Sequence, residues 1–198
     1  MLYHNKMESV RYRLAKASDC AALAKMRYQF RAELARATEP EAHFVRRCAA
    51  WMKKQLTGDL WRCWLAELDR SSHAEKIDGP QGRGYKDEES CSRAPVARPL
   101  VGCVSVILIE KIPNPVRESE LHAYITNCYV VPELRNRAIG ERLLKKAIAW
   151  CDTKRIDAVI LWPSVRSRPL YLRCGFEIPA DMLELHCRKP KATAGNSR

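Results

Sequence analysis

Apolar and polar positions along the chain alternate in two ways, and the switches between them divide it into segments. Residues 10–14, V-R-Y-R-L, alternate with period two and predict a first strand. Leu23, Met26, Phe30 and Leu34 then recur at helical spacing, and Ser18 stands where a cap would open that helix. Thr38, Pro40 and Glu41 form a capping-box signature before a second helix, with Val45, Ala49, Met52 and Leu56 on its buried side and Gly58 just past its end. Residues 61–68 and 100–109 are apolar runs of strand length, and residues 123–131 form another, ending at Pro132 where ladder donors stop.

A second change of period follows Pro132. Ile139, Leu143, Leu144, Ala147, Ile148 and Cys151 define the apolar face of a helix, with Glu141, Arg142, Lys145 and Lys146 opposite. The loop R-N-R-A-I-G between strand and helix leaves first-turn N–H groups without partners at the positive end of the helix dipole. With Arg135, Arg137 and Arg142 beside it, this is an expected anion site, and a phosphate ligand fits it. An ordinary strand-to-helix turn with a solvated basic face is the plainer reading. Residues 157–162 predict a parallel strand reached by crossover, Gly175 a helix end, and M-L-E-L-H-C-R-K a last strand.

This stretch resembles motif A of the GCN5-related N-acetyltransferases, V-x-P-x-x-[RQ]-x-x-G-x-[GA], carried by Val130, Pro132, Arg135, Ala138 and Gly140. Alanine at 138 departs from the family's usual glycine. Tyr171, Gly175 and Phe176 match motif B, Y-x-x-x-G-F. The resemblance implies an α/β fold, a mixed sheet of about six to seven strands flanked by about four helices, with central parallel strands splayed into a cleft. It implies transfer of the acetyl group of acetyl-CoA to a primary amine by direct attack, with a small-molecule or peptide amine as acceptor. Tyr129, Val130 and Val131 would carry main-chain contacts to the cofactor; Arg135, Asn136, Arg137, Ala138, Ile139, Gly140 and Glu141 would cradle its phosphates; Ser164 would contact it seven residues before the tyrosine. Tyr171 is the expected general acid. A packing tyrosine on a short helix is the plainer account of that residue.

The general base is less constrained. Glu120 and His122, just ahead of the central strand, are the first candidates, with Glu33, Glu39 and Glu41 from the opposite wall and a water chain as alternatives. Cys128 or Cys174 would serve an acyl-cysteine route only as an activated thiolate, and neither has a histidine at a motif spacing. The loop between the first two helices, residues 36–41, is a candidate acceptor contact or an ordinary solvated connection.

Composition narrows the picture further. With 198 residues and 46% hydrophobic content the chain is expected to form one domain over residues 1–188, followed by a polar tail at 189–198. Residues 69–99, rich in glycine and proline and poor in apolar residues, read as a flexible insertion. Nine cysteines are scattered without a C-x-x-C, so neither a zinc site nor a disulfide framework is indicated and no metal is expected. The net charge of +12 is divided into equal excesses before and after that insertion, without the stripe of a nucleic-acid reader. Specific nucleic-acid binding is therefore not expected. No apolar run approaches membrane-spanning length and no signal core follows the first methionine, so a cytoplasmic protein, monomeric or homodimeric, is the expectation. A noncatalytic acyl-CoA sensor and a basic nucleic-acid-binding protein on the same scaffold remain the alternatives.

Overall fold

The computed structural model describes residues 9–69 and 98–185. Five strands lie in the order in which the chain makes them: β1 (Ser9–Leu14), β2 (Trp61–Asp69), β3 (Leu100–Glu110), β4 (Leu121–Val130) and β5 (Ala158–Ile160). The first four pair antiparallel, and β4 pairs β5 in parallel. Helices α1 (Cys20–Ala32) and α2 (Glu41–Leu56) connect β1 to β2, α3 (Ile139–Thr153) makes the crossover from β4 to β5, and α4 (Arg168–Arg173) follows. This is the expected mixed α/β architecture with four helices.

Alternation along the strands sends side chains into two cores. Trp64, Val104, Val106 and Ile125 meet Leu143, Leu144 and Ala147 of α3 on one face. Cys63, Leu65 and Cys103 meet Leu23, Met26 and Met52 of α1 and α2 on the other. Burial of each large aliphatic side chain contributes about 1.5–3 kcal/mol, so both faces of the sheet are firmly covered. Val45, Ala49 and Leu56 pack against the second core, as their spacing predicts.

Three local expectations are corrected. Ser18 does not cap α1: Asp19 accepts the Lys16 N–H at 2.7 Å and Arg13 at 2.7 Å, closing a short 3₁₀ turn (Ala17–Asp19) before the helix begins at Cys20. Thr38 closes no capping box, because Pro40 is extended (φ −61°, ψ 142°) and takes the cap position without a side-chain bond. The sheet has five strands among the described residues, fewer than six to seven. Residues 182–185 are not a strand, and residues 186–188 of that expected strand lie outside the described residues. The expected insertion also lies outside them over residues 70–97, as does the tail.

The feature that positions the site is a break in β4. Tyr129 pairs Cys103 and Thr126 pairs Ser105, so two residues of β4, Asn127 and Cys128, oppose Val104 alone. Asn127 is the extra residue, at φ 52°, and it is buried. Asparagine tolerates the left-handed region better than most residues, which makes it a suitable bulge residue. The bulge resets the alternation: Tyr124 and Thr126 face α1 and α2, while Cys128 joins Ile125 on the α3 side. Pairing of β4 with β5 ends at Tyr124 and Ile160, and past that point the two strands part.

Candidate active site

Where β4 and β5 separate, a cavity of about 550 Å³ opens, lined by the end of β4, the loop before α3, and α4. Val131 N–H donates to the Val101 carbonyl of β3 at 3.0 Å. Antiparallel alternation then turns the Val130 N–H the other way, into the cleft. Of the three main-chain candidates, Val130 alone has this orientation: Val131 is committed to β3 and does not line the cavity, and Tyr129 shares its parity.

The loop turns sharply to reach α3. Asn136 and Ala138 both lie in the left-handed region, at φ 62° and 58°, and Ala138 is the helix cap. The first intrahelical bond runs from Arg142 N–H to the Ala138 carbonyl at 3.0 Å, so the N–H groups of Ile139, Gly140 and Glu141 precede the helical ladder and are open to an anion. A Cβ on Gly140 would meet Val130 at 3.6 Å and Leu170 at 3.5 Å, which is ordinary contact. Gly140 thus keeps the loop thin without being sterically forced. Asn136, Ala138, Ile139, Gly140, Glu141 and Ser164 all line the cavity. Arg137 is exposed and does not.

Arg135 is a brace. Its Nε donates to the Val130 carbonyl at 3.0 Å, its Nη2 donates to both Glu33 oxygens at 2.7 Å, and its guanidinium lies 5.6 Å from the Tyr129 ring centre. Glu33, which also accepts from the Tyr129 hydroxyl at 3.1 Å, thereby ties the end of α1 to the loop. Burial opposes the charge on Glu33, but the bonds from Arg135 and Tyr129 outweigh it and hold the carboxyl below its usual range. Such a carboxylate is a weaker base than a free one, and its bonds tie α1 to the loop.

Tyr171 reaches the same cavity from α4 and is buried. Burial pushes its phenol well above the ordinary value, and Cys128 beside it adds to the effect, so the proton is held at any physiological pH. Burial likewise pushes the Cys128 thiol up to about 11. Neither Cys128 nor Cys174, whose thiol burial also raises, has the depressed value of a nucleophilic thiolate. Gly175, at φ 89°, ends α4 as its position in the sequence predicts. Ser164 Oγ accepts the Ser167 N–H at 3.3 Å and fixes the turn that presents α4.

Glu120 is not brought to this place. It is exposed ahead of β4, gives its carbonyl to Lys111 N–H at 2.7 Å, and lines neither cavity; His122 does not line them either. Glu39 accepts hydrogen bonds from His43 and Arg47 on the surface of α2.

A second cavity of about 500 Å³ lies on the α1 and α2 face, walled by Phe44, Trp51, Met52, Trp61 and Ile107. Arg27, Tyr124, Thr126 and Asn127 line both cavities, so the two meet at the bulge. Arg27 and the aromatic wall escaped the sequence reading. The available cue was an arginine at position 27, between Leu23 and Phe30 on the buried stripe of α1.

The acetyltransferase (GNAT) family model matches residues 53–176, more than half of the chain. The chain belongs to the GNAT family. A crystal structure of a predicted acetyltransferase with acetyl-CoA from Clostridium acetobutylicum is similar to this GNAT protein with a TM-score of 0.64 at 20% identity, over 90% of this chain and 96% of the other. A GCN5-related N-acetyltransferase from Ralstonia eutropha JMP134 gives 0.62 at 20% identity, over 90% and 99%. Glucosamine-6-phosphate N-acetyltransferase from Arabidopsis thaliana gives 0.57 at 16% identity, over 91% and 100%. At these identities the likeness is one of fold. No curated protein matches the chain. Among the described residues no group of acids, histidines and cysteines is placed to hold a metal ion, and no helix is long and apolar enough to cross a membrane.

Proposed function

We propose that this GNAT protein transfers the acetyl group of acetyl-CoA to a primary amine by direct attack in a ternary complex. The observation that carries this reading is the convergence of three features on one cavity: the opened edge of β4 at Val130, the unpaired first turn of α3, and the buried phenol of Tyr171. Acetyl-CoA supplies an activated thioester and a polyanion. The α3 N-terminus, with its dipole and free N–H groups, suits the pyrophosphate, and the gap between β4 and β5 suits an extended arm lying along a strand edge.

The chemistry then follows from the positions. The amine nitrogen forms a bond to the carbonyl carbon while the Val130 N–H stabilises the charge that develops on the carbonyl oxygen. As the carbon–sulfur bond breaks, the Tyr171 hydroxyl gives its proton to the leaving sulfur, and the proton lost by the amine leaves through water and returns to the tyrosine. No described carboxylate or histidine lines the junction of the two cavities, so water takes the role first considered for Glu120.

Release of free thiol from acetyl-CoA across a panel of amines tests the proposal, with thermal unfolding as the readout of cofactor binding. Stabilisation by acetyl-CoA together with amine-dependent thiol release is expected. Binding without turnover of any amine would favour an acyl-CoA sensor instead.

A further inference from the structure

The second cavity is built for a particular kind of acceptor. Its volume, about 500 Å³, is that of a small-molecule site. Trp51 and Trp61 meet edge-on at 6.0 Å between ring centres and, with Phe44, Met52 and Ile107, form an apolar wall. Its cations are Arg27 and Arg47, and no carboxylate lines it. Arg47 is engaged by Glu39 at the rim. Arg27 is different: it is half-buried, its guanidinium lies 5.9 Å from the Phe30 ring centre, and its one polar bond among the described residues is a long one, Nη1 to Asn127 Oδ1 at 3.4 Å.

A guanidinium drawn out of water needs a compensating acceptor, and here the chain provides a single amide oxygen where a carboxylate would be expected. By contrast Arg13, half-buried on β1, is matched by both Asp19 and Glu67. Burial lowers the Arg27 pKa and neighbouring Arg31 lowers it further, as expected of a cation short of partners.

We propose that this cavity binds an amine acceptor with an apolar or aromatic body and an anionic group, carboxylate or phosphate, held by the Arg27 guanidinium. This rests on the transferase reading above. The planar fork of Arg27 matches either anion in a bidentate manner. With the anion there and the body on the tryptophan wall, the amine is directed to Thr126 and Asn127, where the cavities join. Arg27, Arg31 and Arg47 together disfavour polycationic acceptors. The same positive field disfavours an ammonium at the junction, which assists loss of the amine proton where no carboxylate base stands.

Two measurements on the full chain test this. The first compares kcat/KM for L-phenylalanine and L-phenylalaninamide by thiol release at saturating acetyl-CoA. The amide has the less basic amine and starts with more of it deprotonated, so a preference for the acid is not a protonation effect. The acid is expected to be favoured by about 10- to 100-fold, the range of a charge-assisted bond. The second needs no turnover: tryptophan fluorescence reports binding of 3-phenylpropionate and phenyl phosphate against uncharged 3-phenylpropanamide, and the two anions separate a carboxylate site from a phosphate site. At least one anion is expected to bind ten times more tightly than the amide or better, with the advantage erased in Arg27→Met and partly kept in Arg27→Lys. Equal binding of anions and amide, or an advantage that survives Arg27→Met, would overturn the proposal. Anion binding by a protein that neither binds acetyl-CoA nor releases thiol would instead overturn the transferase reading, and the acceptor role with it, while the anion site stood.

Discussion

The two cavities share the bulge at Asn127 but are made of different material. On the α3 side the polar groups that face a ligand are mostly main chain: the Val130 N–H and the first turn of α3. On the α1 and α2 side the lining is side chains drawn from several elements, Arg27 from α1, the apolar Phe44, Trp51 and Met52 from α2, Trp61 from β2 and Ile107 from β3. A site made of backbone is fixed by the fold and tolerates change in its side chains. A site made of side chains can be rebuilt residue by residue without disturbing the other. One scaffold can thus keep a cofactor while its acceptor changes.

That contrast fails if a reactive side chain drives the chemistry on the α3 side, and Cys128 is the group to examine. Its thiol, pushed up to about 11 by burial, binds its proton below that pH and loses it above. The thiolate fraction, and with it alkylation by iodoacetamide, is expected to rise about tenfold per pH unit from pH 8 to 10 and to level off near 11, about 500-fold in all. Mass spectrometry of the Cys128 peptide measures it. Fast labelling at pH 7.5, with loss of turnover in Cys128→Ala, would establish a covalent route and end the comparison.

In the proposed mechanism Tyr171 is the one side chain on which the α3 side depends chemically. Tyr171→Phe keeps the ring against Phe176, 5.8 Å away between centres, and removes the proton. Turnover is expected to fall about 100-fold while acetyl-CoA still raises the unfolding temperature. Because the phenol stays protonated far into the alkaline range, this residue adds no descending limb to the pH–rate profile below pH 10. Unchanged turnover in the variant would reduce Tyr171 to packing.

Both cavities depend on the bulge, and a smaller effect is expected there. Valine at 127 is β-branched and resists the left-handed conformation at φ 52°. Asn127→Val should destabilise the fold by about 2 kcal/mol, lowering the unfolding midpoint by about 4–8 °C, and should weaken acetyl-CoA and acceptor binding together. Loss of one without the other would separate the two sites more sharply than the structure does.

The same division decides what could be read from the sequence. The α3 side was legible because a backbone site needs small residues and turns at fixed spacing, and V-x-P-x-x-R-x-x-A-x-G carries them within a dozen residues. The five strands and the first three helices followed from apolar runs and periodicity, which are local, and α4 from the resemblance to motif B. The α1 and α2 side was not legible, since Arg27 and Trp61 lie far apart in the chain and line one cavity only in the folded protein. Glu120 shows the limit of proximity in sequence: it directly precedes the central strand, but about 3.4 Å of rise per residue places it several residues' length from the bulge at Asn127. Ser18 and Thr38 show that a capping residue type is outweighed when a neighbour, Asp19 or Pro40, fixes the turn first.

The finest test of a backbone-built site is the residue that departs from the family pattern. Ala138 adopts φ 58°, ψ 8°, where an L-residue costs about 1–2 kcal/mol and glycine does not. Glycine loses more chain entropy on folding, by about 0.5–1 kcal/mol, so the two effects partly cancel. Ala138→Gly should therefore stabilise the protein by up to about 1 kcal/mol, raising the unfolding midpoint by about 2–4 °C without any ligand. If the cleft is made by main chain, the N–H groups of Ile139, Gly140 and Glu141 keep their places and acetyl-CoA affinity changes little. A lower midpoint would mean that the Ala138 methyl is held by packing that outweighs its backbone strain, and that side chains shape even this loop.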